Sequence, residues 1–100
     1  MAGRLIVGTD FDVETECWRD GAQLDLAGAT DLVLKFIKPS GNVILKTPIV
    51  VDPDLGILRA HILDTENDET GPWIGSLRGM DGAGYVISGY TPDLYLYPQR

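Results

Sequence analysis

From Phe11 to Cys17 apolar and polar positions alternate without a break. Phe11, Val13, Thr15 and Cys17 fall on one side, and Asp10, Asp12, Glu14 and Glu16 on the other. Successive side chains of an extended chain point to opposite faces, so a period of two predicts a strand with one buried face. The rhythm returns from Asp31 to Lys38, with Leu32, Leu34 and Phe36 inward and Val33, Lys35 and Ile37 opposite. It returns again from Ile57 to Leu63, where Leu58, Ala60 and Ile62 oppose Arg59 and His61. Pro72 to Met80 places Trp73, Gly75 and Leu77 together, and Tyr85–Tyr90 and Leu94–Tyr97 complete the series. Val43 to Val51 reads as the partner of the Asp31–Lys38 strand, interrupted by Pro48. Proline has no N–H to give a ladder, so this strand is expected at an edge, or bulged.

Turn chemistry separates these runs. Pro39-Ser40-Gly41-Asn42, Asp52-Pro53-Asp54-Leu55-Gly56 and Asp81-Gly82-Ala83-Gly84 combine a preset φ with residues that tolerate positive φ. About seven short strands with regular turn signals predict an all-β chain, an antiparallel sandwich or barrel. No stretch holds a 3.6-residue period; at most, Thr65 to Glu69 makes one helical turn. The chain is expected to form a single domain. Residues 1–30 are set apart as an N-terminal arm or extra strand, because the dense strand–turn rhythm begins only at Asp31, and residues 31–98 form the sandwich proper.

Composition narrows the function classes. One hundred residues suffice for one core. Fifteen acids against eight bases give a formal net charge of −7, which argues against nucleic acid and anionic membrane surfaces as partners. No apolar run reaches membrane-spanning length. Met1-Ala2-Gly3-Arg4 leads into no apolar stretch of signal-peptide length, so secretion by that route is not expected. A lone cysteine, Cys17, excludes an internal disulfide and a thiolate-cluster metal site.

Candidate chemistry is sparse. His61, the only histidine, shares a strand face with Arg59, and none of Ser40, Ser76 or Ser88 lies in a nucleophile-elbow context. Cys17 lies on the apolar side of its strand, where a thiol behaves as a small hydrophobe. Asp64, Glu66, Asp68 and Glu69 suggest a calcium loop, but Glu69 stands where such a loop needs glycine and Gly75 where it needs glutamate. No catalytic, cofactor or metal residues are therefore assigned. The row Asp10, Asp12, Glu14, Glu16 repeats roughly every 7 Å along one strand face. It is either an edge strand guarded by charge or a stripe that meets Lys and Arg on a partner. Tyr95 and Tyr97 share a strand face and offer flat apolar area with a polar tip, suited to a protein hot spot or a sugar platform.

Four segments in succession, DLVLKFIKPSGNVI, VDPDLGILRAHI, GPWIGSLRGMDGAGYV and a closing aromatic strand, carry a family resemblance. Asp31 to Pro98 is similar to the immunoglobulin-like β-sandwich of tailed-bacteriophage virion proteins, including the N-terminal domain of baseplate upper proteins. The shared marks are a KP-x-G turn at Lys38, Pro39 and Gly41, a D-x-x-x-G corner at Asp52 and Gly56, a G-x-W at Gly71 and Trp73, and a DG turn at Asp81 and Gly82. The resemblance implies an immunoglobulin-like sandwich with Trp73 in its core and a non-enzymatic structural role in the virion, assembled in the bacterial cytoplasm. Its partners would be other virion subunits of capsid, neck, tail or baseplate, with symmetric or multiple copies and no cofactor. The alternative is a carbohydrate-binding module for host adhesion, built on the tyrosines. A third class, a small enzyme or inhibitor, would rest on Cys17 or His61.

Overall fold

The computed structural model describes residues 5–91 and 93–99, so residues 1–4 of the expected arm, and any leader reading of them, lie outside the described residues. The described chain is all-β. Its strands are β1 (Leu5–Ile6), β2 (Phe11–Glu16), β3 (Trp18–Arg19), β4 (Ala22–Gln23), β5 (Thr30–Ile37), β6 (Val43–Lys46), β7 (Ile49–Asp52), β8 (Ile57–Ile62), β9 (Gly71–Met80), β10 (Val86–Tyr90) and β11 (Leu94–Tyr97). The alternating burial along β2, β5, β8 and β9 follows the predicted faces, with Leu34, Phe36, Leu58, Ile62 and Trp73 fully buried.

The larger sheet runs β1-β11-β9-β5-β6, and β10 joins β9 on the edge that β11 also uses. There β11 lies against Gly71–Trp73 and β10 against Ser76–Met80, so the last two strands form one interrupted edge. The smaller sheet runs β2-β8-β7, and β3 with β4 makes a short separate hairpin. One core joins the two sheets: Val13, Leu58, Ala60 and Ile62 from the smaller meet Leu34, Phe36, Trp73, Leu77 and Leu96 from the larger. Phe11 of β2 meets the Trp73 ring edge-on at 6.2 Å, a favourable arrangement for two ring quadrupoles.

Two expectations change. The run Val43–Val51 is not one strand: it breaks around buried Pro48 into β6 and β7, which belong to different sheets. A residue without an N–H is at home in a crossing between sheets, where no ladder needs it. The pairing is also not antiparallel throughout, because β1 runs parallel to β11 before the chain crosses to β2 in the other sheet. At Thr65–Glu69, where the sequence allowed at most one helical turn, a single turn brings the Asn67 N–H to the Leu63 carbonyl at 3.0 Å. The first thirty residues, set apart by sequence as an arm or extra strand, supply β1 to β4, and β2 pairs with β8 along six residues.

The turn motifs occupy corners. At Asp52–Gly56 the Asp52 carboxylate accepts the N–H groups of Asp54 and Leu55, both at 3.1 Å. Gly56 follows with φ +68°, and a Cβ there would lie 2.7 Å from the Leu24 carbonyl oxygen. Only glycine meets both demands.

Candidate interaction surfaces

The acidic row is solvated, as its alternation predicted, but it is matched within the chain. In the β2–β8 register Asp12 faces His61 and Glu14 faces Arg59. The Arg59 guanidinium donates to Glu14 Oε2 at 2.7 and 3.1 Å. The His61 ring lies between two carboxylates, Nδ1 at 2.7 Å from Asp12 and Nε2 at 3.4 Å from Asp10. The hydrogen bond to Asp12 holds the imidazole pKa above its ordinary value, with Asp10 adding to the effect. Glu16 accepts a hydrogen bond from Gln23 at 3.1 Å. Both His61 nitrogens are thus committed to carboxylates, and β2 is one of the two edge strands of its sheet.

In the acidic loop Asp64 accepts the Thr65 N–H at 2.8 Å, and the other three acids are held by partners on β6 or the β5–β6 turn. Lys46 pairs with Glu66, and Lys38 with Asp68 at 2.6 Å. Glu69 accepts from the Ser40 N–H and hydroxyl at 2.9 and 2.8 Å. These hydrogen bonds, from Lys38 to Asp68 and from Ser40 to Glu69, lower both carboxyl pKa values. The loop is therefore a clamp onto the β5–β6 turn, and among the described residues no group of three or more His, Cys, Asp or Glu is arranged to hold a metal ion. Cys17 is buried, which pushes its thiol pKa up and away from reactivity.

Tyr95 and Tyr97 are exposed on β11, with ring centres 4.9 Å apart and planes inclined by 53°. Tilted rings give an apolar ridge rather than one flat platform. The Tyr90 side chain lies outside the described residues. The fold does not join the two sequence-predicted sets: the carboxylates face outward from the smaller sheet and the tyrosines from the larger.

A surface that sequence alone did not single out lies on the outward face of the larger sheet. Val43 and Leu45 of β6, Ile74 and Met80 of β9, Val86 of β10 and Tyr95 of β11 are all exposed there. Val33, Lys35, Ser76 and Arg78 fill the centre of a shallow depression between them. Each of these residues was legible as an outward position, but their contiguity depends on strand order and register. None of the known protein-family models matches the chain, and no curated protein matches it.

Proposed function

We propose that the protein is a non-enzymatic structural module of a tailed-bacteriophage particle, an immunoglobulin-like sandwich that docks on other virion subunits. Strand order supports the fold part of this reading. Taking β2, β5, β6, β7, β8, β9 and β10/β11 as strands B, C, C′, D, E, F and G puts B-E-D in one sheet and C′-C-F-G in the other, the immunoglobulin arrangement. The resembling motifs fall at its corners and core: the turns at Lys38–Gly41, Asp52–Gly56 and Asp81–Gly82, and buried Trp73.

The observation that carries the docking role is the outward face of the larger sheet. Scattered single apolar residues on a surface need no explanation, but a contiguous patch with a few polar groups marks an interaction site. Leu45 and Ile74 are 65% and 54% exposed on it. The acidic loop is closed on its own cations, whereas this face presents exposed apolar residues for a partner to bury. The tilt of Tyr95 and Tyr97 disfavours the carbohydrate reading, since a sugar ring stacks on a flat face.

Light scattering of the purified chain, alone and mixed with purified capsid, neck and tail proteins, tests the proposal. Co-assembly with one component at a defined stoichiometry is expected. A chain that ignores every component would overturn it.

A further inference from the structure

Six of the described residues are Lys or Arg, and four of these hold a carboxylate of their own chain: Arg19 with Asp81, Lys38 with Asp68, Lys46 with Glu66 and Arg59 with Glu14. Lys35 and Arg78 are the two that do not. They are neighbours on the outward face of the larger sheet, where Val33 faces Arg78 and Lys35 faces Ser76. That register puts the two cations on a cross-strand diagonal of roughly 7–8 Å. In a chain of net charge −7, the two cations that hold no carboxylate among the described residues are thus gathered on one largely apolar face, with Asp31 lining the same depression.

The other side of the sandwich has the reverse pattern. Asp10, Asp12, Glu14 and Glu16 outnumber Arg59 and His61, and exposed Ile49, opposite Arg59 in the β7–β8 register, adds apolar area. We infer that the outward face of the larger sheet docks on the acidic outward face of the smaller sheet of a second copy, so that copies associate head to tail. The inference rests on the reading of the larger-sheet face as a docking surface and names its partner. Lys35 and Arg78 meet the stripe, while Leu45 and Ile74 bury apolar area around them.

Molecular dimensions allow it. The two longer extents are 46 and 29 Å, which leaves room on a face for the roughly 800 Å² per partner of a standard interface. Near 0.15 M salt the screening length is about 8 Å, so repulsion between whole molecules is damped while contacting charges still attract. A contact between two different surfaces is heterologous, and it propagates into a ring or a filament.

Charge exchange tests this, with mass measured by sedimentation at about 0.15 M salt. Wild type is expected to show a concentration-dependent mass above the monomer. Lys35→Glu/Arg78→Glu makes both faces acidic, and Asp12→Lys/Glu16→Lys makes both cationic. Each double variant alone should associate about tenfold more weakly or worse. An equimolar mixture should recover association, because each reversed face finds its complement on the other variant. Circular dichroism of each variant checks the fold, and loss of wild-type association near 1 M salt gives a readout that needs no substitution. A wild type that stays monomeric at all concentrations overturns the inference. So does association that survives Asp12→Lys/Glu16→Lys, which would mean larger-sheet faces meeting each other. A monomer that still co-assembles with a virion component would leave the docking proposal standing and remove only self-association.

Discussion

The Lys38 ammonium stands 5.5 Å from the centre of the Trp73 ring, and its charge is completed by Asp68 at 2.6 Å. Both Lys38 and Trp73 are buried, and the indole N–H donates to the Glu69 carbonyl at 3.0 Å. One turn residue, one core residue and one loop are thus tied together. Truncating the indole removes the largest buried side chain and the surface on which the lysine lies. Trp73→Ala is expected to cost about 3–5 kcal/mol in urea unfolding, a large share of a typical ~5–15 kcal/mol. A loss below about 1 kcal/mol would contradict the packing described.

Gly75 is a second pressure point. A Cβ there would lie 2.0 Å from the Thr91 hydroxyl oxygen and 2.9 Å from the Phe36 ring. Gly75→Ala should destabilise by about 1–3 kcal/mol through overpacking. Adding Thr91→Ala should return part of that loss, so a double-mutant cycle in urea should give a clear coupling energy. Strict additivity would show that β9 and the interrupted edge are not packed as described.

Asn67 is fully buried, and its amide donates to the carbonyls of Ile6 and Thr9, both at 2.8 Å. It therefore pins the passage of the chain from β1 in one sheet to β2 in the other. Asn67→Ala should cost about 1–3 kcal/mol, since two part-buried hydrogen bonds are lost. Hydrogen exchange should quicken around β1 before the core strands are affected. Unchanged protection at Val7 would count against the clamp.

His61 gives the fold a pH dependence of known sign. Its pKa is raised in the folded chain by Asp12 first and Asp10 second, so the folded state binds the proton more tightly than the unfolded state. This contribution is complete below the unfolded value of about 6.5 and is lost as pH rises through the folded value. The urea midpoint should fall as pH rises above the unfolded value of about 6.5, and His61→Ala should flatten that fall. In NMR titration Asp12→Asn should bring the imidazole back toward its ordinary pKa. A native titration at or below the free-histidine value would contradict the pairing.

Much of this architecture was legible in the residues. The alternation at Phe11–Cys17, Leu32–Phe36 and Leu58–Ile62 named the inward faces, because burial on one side of a pleated strand writes itself as period two. What was not legible depends on register or on very short pairing. The two-residue strands β1, β3 and β4 are too brief to show a period. Pro48 marked an interruption but not a change of sheet. The row Asp10–Glu16 was visible as an acidic stripe, yet Arg59 and His61 match it only through the β2–β8 register. For the same reason the nearness of Lys35 to Arg78 shows only once β5 and β9 are aligned.

The central claim is that the outward face of the larger sheet is where this protein docks. Its most direct test compares wild type with Leu45→Glu/Ile74→Glu for binding to purified virion subunits by co-sedimentation, with melting curves run in parallel. Both residues are exposed, so the variant should stay folded, within about 1 kcal/mol of wild type. Binding is expected to drop at least about tenfold, since two apolar contacts of the face become buried charges. Binding equal to wild type by a fully folded variant would contradict the claim.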